Sequence, residues 1–176
     1  MSATSSPRRT RCSLLVALLV FFHGQSQAAD SLETIGDKLA IAAALAQYSY
    51  RWDGKDAAGF ADIFTLDGIM ERWLAGSLVA GSRIVGKQAI QAYASLSHQG
   101  RLADRQTRHH FSGLVFLELS STTAITENMA LITHQTAADR VAVLRNSGIY
   151  RNNWRKTESG WLISKRVLFT DSFAPR

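Results

Sequence analysis

The chain has 176 residues, with 20 Lys and Arg against 14 Asp and Glu and a single cysteine. That length suits about one domain with one core. No Lys/Arg cluster carries interleaved aromatics, which argues against a nucleic-acid-binding face, and one cysteine excludes a disulfide framework.

The first segment reads as a targeting signal. Arg8, Arg9 and Arg11 precede the uncharged apolar run Cys12 to Phe22, and Gly24 to Ala29 supplies the small residues that a signal peptidase reads. The run is shorter than the roughly 20 residues a spanning helix needs. Residues 1–29 are therefore expected to be a secretory signal peptide, cleaved after Ala28 or Ala29, with a signal anchor as the alternative. The Arg8-Arg9 pair leaves Sec and twin-arginine export both open. The expectation for 30–176 is a single exported domain, periplasmic or extracellular, without membrane association after cleavage. Its charge would be 17 Lys and Arg against 14 acids, or +3, and Cys12 would leave with the signal.

Leu32 to Trp52 predicts a helix, with Leu32, Ile35, Leu39, Ala42, Leu45 and Tyr48 forming one apolar stripe at three- and four-residue steps. A turn follows at Asp53-Gly54, then a short second helix closing at Phe64. Asp56 reads as an N-cap. Asp53 has two readings. It is a turn residue, or it is a carboxylate that leaves a helix end among Tyr48 and Trp52 and can be poised for proton transfer. Asp67-Gly68 marks a turn before a strand over Ile69–Leu74, and Leu78–Val85 reads as a strand-like arm. Gln88–Ser97 predicts a third helix with Ile90, Tyr93 and Leu96 on one side. After a polar loop come four strands with short turns: Arg108–Leu119, Thr122–Gln135, Val141–Lys156 and Trp161–Phe169. Helices first and an antiparallel meander afterwards predict an α+β fold, with a curved sheet wrapped around the N-terminal helices.

These pieces in this order resemble a known family. They are Trp52-Asp53-Gly54-Lys55-Asp56, Phe64-Thr65-Leu66-Asp67-Gly68, Gly86-Lys87-Gln88-Ala89-Ile90, Arg108-His109-His110-Phe111, Gly148-Ile149-Tyr150 and Gly160-Trp161-Leu162-Ile163. The pattern is similar to the SnoaL-like group of the nuclear transport factor 2-like superfamily, which includes polyketide cyclases, scytalone dehydratase and ketosteroid isomerase. The resemblance implies a cone-shaped α+β barrel whose strongly curved, mostly antiparallel sheet encloses a deep, mostly apolar cavity. It also implies an acid–base site built from Asp53, a histidine of the His109-His110 pair, and His134, the last after a one-residue shift. Two departures stand out: Gly113 where an Asn is usual, and Asn152 where many relatives carry Asp.

Adjacent strand residues face opposite ways, so only one of His109 and His110 can enter the cavity. His109 shares parity with Phe111, Val115 and Leu117, the more apolar set, and is the better candidate. Leu114 and Phe116 then fall on the outer face, where a homodimer or higher homo-oligomer is expected to form. Tyr48, Trp52, Trp73 and Tyr150 are core or pocket-wall aromatics, and the two tyrosines could direct a hydroxyl at a substrate oxygen. The chain has no phosphate loop, dinucleotide fingerprint or nucleophile elbow. No His-x-His or Glu-x-x-His spacing suggests a metal. The expected chemistry is therefore cofactor-independent: a lyase (dehydratase) or an isomerase or cyclase acting on a small hydrophobic or cyclic ligand, polyketide-, terpenoid- or steroid-like. A non-catalytic module binding such a ligand, or a protein partner, is the alternative.

Overall fold

A computed structural model describes residues 30–172. The expected signal segment 1–29 lies outside the described residues. Three helices precede or interrupt the sheet: α1 (Leu32–Asp53), α2 (Ala57–Asp62) and α3 (Lys87–Gln99). Ser31 caps α1 by accepting from the Thr34 N–H, and Asp56 caps α2 by accepting from the Gly59 N–H at 2.8 Å.

The strands are β1 (Phe64–Leu74), β2 (Ser77–Leu78), β3 (Ile84–Val85), β4 (Arg105–Leu119), β5 (Thr123–Thr136), β6 (Val143–Thr157) and β7 (Gly160–Thr170). They form one seven-stranded sheet in the order β2-β1-β7-β6-β5-β4, with β3 also on β1. β4 to β7 are an antiparallel meander, whereas β1 runs parallel to β7. The architecture is the expected α+β cone: a curved, unclosed sheet around the helices. Phe64 belongs to β1 and does not close α2; the expected arm is two short strands on either side of a loop.

The buried side of α1 is Asp37, Ile41, Leu45, Tyr48, Trp52 and Asp53. The predicted stripe thus holds only from Leu45 onward. Leu32, Ile35 and Leu39 are exposed, because the stripe through Ile41 and Leu45 continues back to Asp37. Asp37 is accommodated there by Trp161 Nε1–H at 2.8 Å and Lys156 Nζ at 2.8 Å, which tie the helix to β6 and β7. In α3 the buried side is Ile90, Ala94, Ser97 and His98, and Leu96 faces solvent.

A bulge changes the parity of β4. Gly113 has φ 62°, and the pairing with β5 slips between Ser112 and Val115. His109 and Phe111 face the helices. Beyond the slip it is Leu114 and Phe116 that pack on the core, while Val115 and Leu117 are exposed. This reverses the expected faces of those four residues, since an extra residue in one strand turns every later side chain over.

Candidate active site

The site lies where the end of α1 meets the start of β4. Asp53 is the last residue of α1. A carboxylate is disfavoured there by the negative end of the helix dipole. Such local conflicts collect at functional sites. Asp53 is buried, and β4 supplies its partners. Thr107 Oγ1–H donates to Oδ1 at 2.7 Å, the His109 backbone N–H donates to Oδ2 at 2.8 Å, and His109 Nδ1 lies 2.8 Å from Oδ1. Burial pushes the Asp53 carboxyl up, but the bond and charge of His109, with Thr107 and the His109 N–H, outweigh it and hold the group below its ordinary value. Asp53 is therefore a carboxylate with Nδ1–H of His109 donating to it. The imidazole keeps Nε2 as its remaining nitrogen.

His109 lines a cavity of about 670 Å³ together with Tyr48, Trp52, Tyr93, Ile132, His134, Tyr150, Arg166 and Leu168. Its side chain is only 5% exposed. Asp53 itself stands behind His109, outside the lining. The Tyr48 ring packs edge-on to His109, with centroids 6.0 Å apart, and the Tyr150 ring lies 5.9 Å from Tyr48. Burial raises the pKa of both tyrosines, that of Tyr48 strongly, so both hydroxyls stay protonated at neutral pH. His134 pairs with Thr107 across β4 and β5, which puts it on the same inner face. Burial, then the charges of Arg105, Arg145 and Arg101, push its pKa down, so it is neutral at pH 7.

Two expected residues are elsewhere. His110 points away from the helices, where its Nε2 meets Thr133 Oγ1 at 3.4 Å in an exposed position. Trp73 is not on the cavity wall. It pairs laterally with Phe169, their rings 6.3 Å apart, and donates from Nε1 to Glu71. Met70, Arg72 and Leu74, of opposite parity on β1, reach the cavity, as does Glu71.

The cavity is also less apolar than the family resemblance implies. Arg72, Arg101, Arg145 and Arg166 line it. Three of these are exposed at the rim, and Arg166 is 1% exposed at the base. Sequence reasoning singled out none of them. Arg166 lies three residues past the Gly160-Trp161-Leu162-Ile163 piece, and a lone arginine on a strand carries no signal until its burial is known. His98 was missed too: it is buried beneath Trp52, ring centroids 4.9 Å apart, outside the cavity. Among the described residues no group of three or more His, Cys, Asp or Glu is placed to hold a metal ion.

A SnoaL-like domain model matches residues 33–167. The chain belongs to the SnoaL-like domain family. No curated protein matches the sequence. Among solved structures, a protein of unknown function from Mycobacterium tuberculosis is 27% identical with a TM-score of 0.69, covering 81% of this chain and 76% of its own. ActVI-ORFA from Streptomyces coelicolor is 19% identical with a TM-score of 0.67, covering 77% and 98%. A scytalone-dehydratase-like protein from Novosphingobium aromaticivorans is 21% identical with a TM-score of 0.66, covering 82% and 92%. At such identities the last two speak to the fold, and the chemistry of this SnoaL-like domain must be argued from its own residues.

Proposed function

We propose that this SnoaL-like protein is a cofactor-independent lyase or isomerase in which His109 moves a proton at a carbon next to a carbonyl. The observation that carries this is the 2.8 Å contact between Asp53 Oδ1 and His109 Nδ1 at the wall of the cavity. Asp53 holds the ring orientation and stabilises the imidazolium that forms when Nε2 takes a proton. Its three accepted bonds leave it no role as a base in its own right. In a dehydratase the same Nε2–H would then protonate the departing hydroxyl; in an isomerase it would reprotonate another carbon. The protonated Tyr150 hydroxyl, which Tyr48 backs from behind, is the donor for the carbonyl oxygen, where charge develops. His134 is a second proton carrier on the same inner face.

The family's breadth of function means that fold alone does not decide this. The test is proton exchange from a simple cyclic ketone, 2-tetralone, in D₂O, followed by NMR. The wild type should accelerate α-proton exchange, and His109→Gln should remove the acceleration. A wild type that binds 2-tetralone but leaves its exchange rate unchanged would leave the cavity as a binding module. Export completes the proposal: the working protein begins at Ala29 or Asp30, and finding residue Met1 on the protein isolated from the periplasm or medium would refute that part.

A further inference from the structure

Arg166 carries a charge that the protein itself does not neutralise. It is 1% exposed, and its guanidinium lies against two aromatic rings, with Cζ 3.5 Å from the Tyr48 ring centroid and 3.6 Å from that of Tyr150. Ring faces attract a cation but accept no in-plane hydrogen bond. Nη1 donates to Asn152 Oδ1 at 2.6 Å, Nε and Nη2 make no hydrogen bond of good geometry, and the pull of the guanidinium on the Tyr150 hydroxyl oxygen is an interaction with a neutral group. Asn152 is a neutral amide, fixed in turn by its Nδ2 against Asn128 Oδ1 at 3.3 Å. A buried cation with a neutral partner is costly unless something else completes it.

The two unpartnered nitrogens are informative together. Nε and Nη2 form one edge of the planar fork, the edge that matches the two oxygens of a carboxylate. Arg166 lines the cavity, as does Thr170 on the same face of β7, and Thr170 Oγ1 is likewise buried without a partner. Glu71 lines the cavity too, but Arg83 and Lys165 already neutralise it at 3.0 and 3.1 Å. At the rim the exposed Arg72, Arg101 and Arg145 add positive potential, which draws anions toward a cleft.

We propose that the unpartnered edge of Arg166 binds an anionic oxygen of the ligand, so that the cavity prefers a small organic acid, a carboxylate or an equally acidic enol, over a neutral apolar molecule. This rests on the cavity being the ligand site of the acid–base reading, and it adds the ligand's charge to that reading. Tyr48 touches both Arg166 and His109, so one small molecule can span the anchor and the proton-transfer group.

The test uses 2-naphthoate and the neutral 2-naphthamide, with affinities measured by calorimetry on the full protein. Wild type should bind the carboxylate at least about tenfold more tightly, the scale of a charge-assisted hydrogen-bonded pair. Asn152→Asp puts a counter-charge beside Arg166 and should abolish that preference while leaving naphthamide binding as it was. The Arg166 Nε–H resonance of the wild type should move on adding naphthoate, which decides the matter even if Asn152→Asp fails to fold. Equal affinities, no saturable naphthoate binding at millimolar concentration, or an unmoved Arg166 resonance with naphthoate bound would each overturn the proposal. So would a preference that survives Asn152→Asp and disappears instead in Arg101→Gln/Arg145→Gln. A protein that prefers naphthoate yet exchanges no tetralone protons keeps the anion site and loses only the catalytic reading.

Discussion

Asp53 and His109 are 56 residues apart in sequence, yet one carboxylate binds both the backbone N–H and the ring Nδ1 of the same histidine, each at 2.8 Å. The first bond fixes where β4 begins relative to α1, and the second fixes how the imidazole is turned. Chain position and ring orientation are thus set by a single side chain.

Asp53→Asn should therefore fail in two ways. Turnover, read as tetralone exchange, should fall by at least about 10²-fold, the contribution expected of a correctly oriented acid–base group. Stability should also fall, by about 1–3 kcal/mol, because the new amide places N–H donors against the Thr107 hydroxyl and the His109 donors. A change without stability loss, as a rim carboxylate would give, does not fit a group bonded on both oxygens. His110→Gln, on the exposed side, should leave both quantities unchanged. An Asp53→Asn protein with full exchange activity would remove the dyad from the mechanism.

The order of helices and strands was legible because each rests on local periodicity and turn chemistry. The Asp53–His109 pairing was legible only through the order of short motifs, since neither residue has a diagnostic neighbour. What failed were faces and parities. Leu32, Ile35 and Leu39 are as apolar as Ile41, and only the packing of Asp37 with Trp161 and Lys156 selects between the two stripes. Trp73 shares its face with Phe169, its lateral partner on the parallel strand β7, a pairing that no local pattern encodes. Arg166 was invisible for a similar reason: its burial follows from Tyr48 on α1 and Tyr150 on β6 both packing over it.

The bulge at Gly113 is what turns Leu114 and Phe116 inward, and it requires a left-handed backbone, φ 62°. Gly113→Ala should cost about 1–2 kcal/mol, the penalty for an ordinary residue in that conformation. The added Cβ would meet the terminal methyl of Met129 at 2.9 Å, a flexible and exposed group that can move aside. Gly113→Asn should cost less, since Asn tolerates this region. Urea denaturation measures both, and an Ala variant as stable as wild type would show that the bulge is not held in this conformation.

Acid should weaken the fold through His98. Burial first, then the charges of Lys55 and Arg101, push its pKa below the ordinary 6.5 and outweigh the opposing pull of the Lys55 backbone and the Asp53 charge. The unfolded chain then takes up a proton before the folded one, so stability is full above about pH 6.5 and falls as the pH drops below it. His134, also depressed, acts in the same direction. The carboxylates titrate lower, Asp53 below 3.8, and stay out of this window. Urea midpoints at pH 7.5 and 5.5 should differ less in His98→Leu than in wild type. An equal loss in both would assign the acid sensitivity elsewhere.

The outer face of the sheet carries a second expectation, on residues other than those its simple alternation suggested. Leu114 and Phe116 are packed inside, but Val115, Leu117, Met129, Leu131 and Ile149 are 40–55% exposed on β4 to β6. Met129 and Ile149 are direct cross-strand partners, so the apolar residues run across the strands and not along one edge. An exposed apolar surface that is continuous over neighbouring strands is the kind that pairs with another copy. We expect a homodimer at micromolar concentration by light scattering. Met129→Glu/Leu131→Glu should make it monomeric without altering tetralone exchange, because both side chains lie on the face opposite His109. A wild type that scatters as a monomer at that concentration would rule out this interface.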